Sequence, residues 1–237
     1  MIFLDSFTPI TCNVLDKKKT NLKNRYMTLT DQLKEYADNS AKNMPEEAKN
    51  IMQAGIKKLE DTDIIKNATK KGDIFPDFAL PNAKGELISL DELLKKGQVV
   101  LTFYRGGWCP YCNLALKALQ DIVPQIKDKN ATLVAVTPET PDNTLSVKEK
   151  NELDFEILTS RNNELARFLG LTYSLPEELA TLYKKFGIDL LESQGNDENE
   201  LPIAATYIIG TDKKITYSFI TEDYKLRAEP SDILKAL

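Results

Sequence analysis

An α/β fold, with a central mixed sheet flanked by helices and an N-terminal helical extension, is what this sequence predicts, and three observations predict it. Val99 to Tyr104 and Thr132 to Thr137 are unbroken β-type runs of the kind buried on both faces of a parallel sheet, and a helical stripe separates them. Thr206 to Ile209 and Ile215 to Phe219 flank the turn GTDKK as a hairpin, after which SDILKAL closes the chain as a helix. Ahead of residue 72 the apolar residues follow helical spacing.

From about residue 20 to about 37, Leu22, Tyr26, Leu29, Leu33 and Tyr36 recur at helical spacing with polar residues between them. Pro45 suits the first turn of a second helix, in which Ala48, Ile51, Met52, Gly55, Ile56 and Leu59 share one face. Two such helices cannot bury their stripes alone. This arm, residues 1–71, is therefore expected to pack on the main domain or on another subunit, as a structural extension. The main domain, residues 72–237, opens with GDIFPDFALPNAKGELISL, two short strand-like pieces around a turn. Ser89 and Glu92 stand as a capping box ahead of a short helix. After the first long strand, Ala115, Leu116, Leu119, Ile122 and Val123 fall on one helical stripe, and the second strand completes a βαβ unit. Helical stretches near 145–152, 163–169 and 176–186 then alternate with a short strand at 155–158. The polar, acidic ESQGNDENE at 192–200 reads as a surface loop. The order βαβ, then ββα, is the thioredoxin plan.

Composition narrows the chemistry. The chain is 42% hydrophobic and 28% charged, as in soluble globular proteins. No apolar run approaches the roughly eighteen residues a membrane span needs. The opening MIFL meets Asp5 at once, without the basic and apolar regions of a signal peptide, so a cytoplasmic location is expected. A net charge of −5 argues against nucleic acid as a partner, and Lys17, Lys18 and Lys19 read as a solvated run. The chain has no histidine, which excludes Ser-His and Cys-His nucleophile pairs and imidazole zinc sites. With only Cys12, Cys109 and Cys112, a four-cysteine zinc site within one chain is excluded too. Neither metal nor cofactor is expected, and redox chemistry remains.

Residues 102–112 read TFYRGGWCPYC: a β-type run, a Gly-Gly turn, then two cysteines at the start of a helix. Three cysteines would fall into this spacing by chance in roughly one random sequence in forty. In the reducing cytoplasm such a pair is more often catalytic or metal-binding than a structural staple. At the first turn, Cys109 should meet unsatisfied backbone N–H groups and the positive end of the helix dipole, both of which favour the thiolate. The dipole is worth around one pKa unit, and direct hydrogen bonds must supply anything more. Cys112 follows at a Cα separation of roughly 5 to 6 Å, which a disulfide fits. Deeper in the helix and less exposed, it is the natural resolving thiol. Pro110 suits the early turn. Trp108 either packs over the site and limits solvent access or is a simple core or rim aromatic. Cys12 has no partner at useful spacing and reads as an unreactive lone thiol, against a third redox residue or an intersubunit bridge.

Thr102 to Leu119, with RGGWCPYC inside it, resembles the active-site segment of the thioredoxin-fold superfamily. More narrowly it is similar to a divergent, Cys-x-x-Cys-bearing branch of the alkyl hydroperoxide reductase/thiol-specific antioxidant, or peroxiredoxin, family. GDIFPDFALPNAKGELISL and DYKLRAEPSDIL extend the resemblance over about residues 72–237. The family's pattern places a proline seven residues before the reactive cysteine, a Thr or Ser three before it, and an arginine just ahead of a late strand. Here those positions are Thr102, Gly106 and Ala204. Arg105 and Arg227 are the candidate replacements for the missing cation, although a strand-end Arg105 also fits a plain surface contact. Thioredoxins carry a cis-proline about where Ala204 stands, and this chain offers Pro202, two residues earlier.

The resemblance implies a thiol-dependent peroxidase acting on hydrogen peroxide or organic hydroperoxides. Cys109 becomes a sulfenic acid, Cys112 resolves it as a disulfide, and a thioredoxin- or glutathione-type reductant restores both. The alternative is a thiol-disulfide oxidoreductase acting on protein or glutathione disulfides, since Pro110-Tyr111 is the dipeptide that glutaredoxins carry. A redox-sensing module that binds a partner through its arm is a third reading, and a homodimer through the N-terminal helices is a further expectation.

Overall fold

A computed structural model describes residues 27–237. Cys12, the lysine run, Leu22 and Tyr26 lie outside the described residues. Helix α1 (Leu29–Asn43) starts behind Thr28, whose hydroxyl accepts from Asp31 N–H, and runs six residues past the expected end, until Met44 turns extended ahead of Pro45. Pro45 is the N-cap of α2 (Glu46–Glu60), one position before its first turn. A short α3 (Ile64–Asn67) leads to a hairpin of β1 (Ala79–Pro81) and β2 (Leu87–Ser89). The expected capping box is present, with Ser89 and Glu92 each accepting from the other's backbone at the start of α4 (Leu90–Leu94).

The main sheet has five strands in the order β5-β4-β3-β8-β9. β3 (Gln98–Phe103) lies at its centre, parallel to β4 (Ala131–Thr137) and antiparallel to β8 (Ala204–Ile209). β5 (Glu156–Thr159) extends the parallel half and β9 (Ile215–Thr221) the antiparallel half. Between β3 and β4 run α5 (Pro110–Asp121) and α6 (Val123–Asp128), and between β4 and β5 runs α7 (Pro141–Lys150). Then come α8 (Glu164–Phe168), β6 (Thr172–Ser174), α9 (Glu177–Lys185), α10 (Leu190–Gln194) and β7 (Glu200–Pro202), with β6 and β7 paired antiparallel. After β9, α11 (Pro230–Ala236) ends the chain as expected.

Strand alternation divides the core between the two sheet faces. Val100, Leu133, Ala135, Ile157 and Ile208 pack with α5, α6, α11 and, from the arm, Leu29 and Leu33 of α1. Val99, Leu101, Phe103, Val134, Val136 and Tyr207 pack with α4 and α8 on the opposite face. The arm thus packs on the main domain, one of its two expected resting places. A third cluster joins α2 to α9 and α10, where Gly55 leaves only 3.0 Å between a would-be Cβ and Leu179 Cδ2.

The stretch 192–200 departs from the surface loop expected of it. Asp189 accepts from the first N–H groups of α10, and the buried Gln194 donates to the Glu200 carbonyl, so only residues 195–199 link two ordered elements. The apolar Leu190 and Leu201 on either side anchor the segment, and this outweighs its polar composition.

Candidate active site

Parallel strands leave their carboxyl ends facing one edge, and ligand sites of open α/β sheets lie there. β3 delivers Tyr104 and Arg105 to that edge, and the Gly106-Gly107 turn carries the chain into α5. Both glycines are needed for space. A Cβ on Gly106 would stand 2.3 Å from Trp108 Nε1, and one on Gly107 would stand 2.2 Å from Val147 Cγ2. The turn is held from two sides: Gly107 N–H donates to Glu139 Oε2 at 2.8 Å, and Asn113 Nδ2 donates to the Gly107 carbonyl at 2.7 Å. Glu139 also accepts from Ser193 Oγ at 2.8 Å. Burial pushes its carboxyl above the usual range, despite those hydrogen bonds.

Cys109 is the N-cap of α5 and Pro110 its first residue. The expected bond from helix N–H groups to the sulfur is not made. Instead Arg105 Nη2 donates to Cys109 Sγ at 3.2 Å, and Arg227 Nη2 donates to Cys112 Sγ at 3.0 Å. Both cysteines are free thiols with no exposed surface, so the expected difference in exposure between them does not exist. Tyr36 of the arm covers the same helix, its ring 5.1 Å edge-on from that of Tyr111, which in turn meets Tyr224 at 5.5 Å.

Burial works against ionisation of Cys109, but the hydrogen bond from Cys112 and the charges of Arg105 and Arg227 outweigh it and hold the thiol well below its ordinary range. Burial and the neighbouring Cys109 push Cys112 well above it. The arrangement therefore favours the thiolate at Cys109 and the protonated thiol at Cys112.

Arg105 is buried, not a surface contact, because its partners converge from distant elements. Nη1 donates to Tyr183 Oη at 3.0 Å, and the guanidinium carbon lies 5.0 Å from the Trp108 ring centre and 4.3 Å from that of Tyr224. Trp108 packs against both this cation and Tyr183, whose ring centre lies 5.6 Å from its own. Arg227 is anchored by donation from Nη1 to the Tyr224 and Leu226 carbonyls at 2.6 Å each. Ala204 and Pro202 lie in buried strand positions paired with Thr221 and Thr172. Thr102 faces Thr206 across the sheet at 3.0 Å, within the strand and not at the sulfur. Sequence reasoning passed over Glu139, Asn113, Tyr183 and Tyr224. Only Glu139 left a signal, as the acid just past the carboxyl end of a buried parallel strand.

A mixed five-stranded sheet with a buried Cys-x-x-Cys at the start of its first crossover helix defines a thioredoxin-fold dithiol protein. The family model of the AhpC/TSA family matches residues 71–218, and the chain belongs to that family. It is 28% identical to the peroxiredoxin Bcp of Escherichia coli (strain K12) over 106 residues, 44% of this chain and 67% of that one. A relative of the same bcp peroxiredoxin type in Helicobacter pylori (strain J99) is 28% identical over 166 residues, 70% of this chain and 96% of its own length. A Buchnera aphidicola relative of this type is matched over 64% of its length. The crystal structure of the peroxidoxin BcpB of Mycobacterium tuberculosis shares the fold at a TM-score of 0.56 and 21% identity, over 71% of this chain and 96% of that one. Peroxiredoxin 6 of Arenicola marina follows at 0.55 and 20%, over 70% of each chain.

Proposed function

We propose that the protein is a thiol-dependent peroxidase whose attacking group is the Cys109 thiolate and whose resolving group is Cys112. The observation that carries this reading is the Cys109 sulfur at a helix start, 3.2 Å from the buried Arg105 guanidinium. The thiolate attacks one peroxide oxygen, the O–O bond breaks, and the departing alkoxide or hydroxide takes a proton to leave as alcohol or water. The Cys112 sulfur then displaces hydroxide from the Cys109 sulfenic acid, the Cys112 thiol proton converts that hydroxide to water, and a disulfide remains.

Two buried donors support a peroxide at this place. Arg105 Nε and Trp108 Nε1 have no acceptor among the described residues. An unsatisfied buried donor costs about 1 to 3 kcal/mol, and a peroxide oxygen would recover it. They would do the work that the family gives to the hydroxyl and arginine missing at Gly106 and Ala204. Arg227 serves the resolving sulfur in the same way. Entry requires the packing over the cysteines to part, since neither sulfur has exposed surface.

The test is stopped-flow mixing of reduced protein with one equivalent of hydroperoxide, followed by Trp108 fluorescence. Wild type is expected to consume the peroxide rapidly and Cys109→Ser not at all; equal rates would refute the assignment. A parallel run with a disulfide substrate gives the rate for thiol-disulfide exchange, and the peroxide rate is expected to be the larger. Residues 1–71 are read as a covering arm on a catalytic domain of residues 72–237. The cell compartment is read as the cytoplasm; no helix among the described residues is long and apolar enough to cross a membrane. A thiol reductant completes the cycle, and association of two copies would use the outward faces of α1 and α2.

A further inference from the structure

Among the described residues, the buried charged side chains are Arg105, Arg227 and Glu139, and all three lie around the cysteine segment. Each guanidinium donates to one sulfur, at 3.2 Å and 3.0 Å, while Glu139 is held by Gly107 N–H and Ser193 Oγ. With Cys109 as a thiolate the buried charges balance: two cations face a thiolate and a carboxylate. Joining the sulfurs removes the thiolate and leaves two buried cations against at most one anion. A buried charge without its partner is costly, and a neutral disulfide sulfur accepts a guanidinium hydrogen bond more weakly than a thiolate does.

We propose that this imbalance makes the Cys109–Cys112 disulfide strongly oxidising, so that a small monothiol of the glutathione class can reduce it. The proposal rests on the reading that these two cysteines form the disulfide of turnover. A first thiolate attacks one sulfur and gives a mixed disulfide, and a second attacks the mixed disulfide and leaves as the oxidised dimer. Two thiols supply the two electrons and two protons. One proton stays on Cys112 and the other goes to solvent, because Cys109 is regenerated as a thiolate. A small thiol also suits a site whose sulfurs have no exposed surface, since it requires less opening than a protein partner.

The experiment equilibrates the full chain with reduced and oxidised glutathione, and separately with thioredoxin, and reads the dithiol fraction by alkylation and mass spectrometry. Against thioredoxin, the wild-type equilibrium is expected to favour reduced protein by at least about a hundredfold, or about 60 mV. Arg227→Gln should move the glutathione equilibrium toward the disulfide by about tenfold, or about 30 mV, whereas Arg227→Lys should stay close to wild type. Glu139→Gln should move it the opposite way, further toward the dithiol. General loosening of the site would move Arg227→Gln and Glu139→Gln in one direction, and that result overturns the proposal. A wild-type disulfide as hard to reduce as thioredoxin's also overturns it, even if Arg227→Gln does not fold. Oxidation with excess oxidised glutathione supplies the disulfide without peroxide, so these equilibria stand apart from any failure of the peroxidase assay.

Discussion

Gly106 stands where the family pattern has a Thr or Ser, and its environment explains the substitution. A Cβ there would lie 2.3 Å from Trp108 Nε1 and 2.9 Å from Glu139 Oε1. The space that a hydroxyl side chain would use is filled by the indole and the buried carboxylate. Gly106→Thr, which restores the family residue, is therefore expected to slow peroxide consumption and to lower stability by about 1 to 3 kcal/mol through overpacking. Urea unfolding and the stopped-flow rate check both effects, and a faster rate would show that the hydroxyl had found room. The cysteine spacing and the Gly-Gly turn were legible as a site because they are adjacent in the chain. The sulfur's cations were legible only as candidates. Which sulfur each arginine serves depends on contacts that span 4 residues in one case and 115 in the other.

Among the elements, α1 links the arm to the site. Glu229, the N-cap of α11, accepts from Leu29 N–H, Thr30 N–H and Thr30 Oγ1, and so caps the start of α1 from the far end of the sequence. A carboxylate here also meets the positive end of the helix dipole. Glu229→Ala is expected to cost about 1 kcal/mol and, by freeing α1, to speed alkylation of Cys109 in the reduced native protein. An alkylation rate equal to wild type would show that α1 does not control access. The long strands and α5 stood out in the sequence because apolar spacing alone specifies them, down to the burial of Ala115, Leu116, Leu119, Ile122 and Val123. The pairing of β6 with β7 did not. Each has only three residues, and they meet across an intervening α9 and α10, so no local periodicity reports them.

The stability of the whole molecule carries the signature of its site. Cys109 is held ionised below the ordinary thiol range, so folding releases a proton whenever the unfolded thiol is protonated. That contribution is fully present above the unfolded thiol pKa of about 8.5 and is lost as pH falls through the folded value. The melting temperature of reduced wild type, measured against Cys109→Ser, should therefore rise as pH climbs toward about 8.5 and level off above it. A difference that stays flat would mean that the guanidiniums do not hold a thiolate. At this scale the arm, the sheet and the terminal helix form a single support, since Leu29 and Leu33 share a core cluster with both cysteines and with Ile233.

By itself the sequence determined the α/β class, the order of the long strands and of the helix that links the first two, the Cys109 and Cys112 pair and the resemblance to a peroxide-reducing family. Those properties are local, carried by periodicity within an element and spacing within a motif. Only the tertiary structure decided that Arg105 is buried, that each sulfur has its own guanidinium, that Glu139 holds the turn, and that the arm packs against the helix that carries the cysteines. Each depends on desolvation and on contacts between groups far apart in the chain, and neither is written in the order of residues until the sheet brings them together.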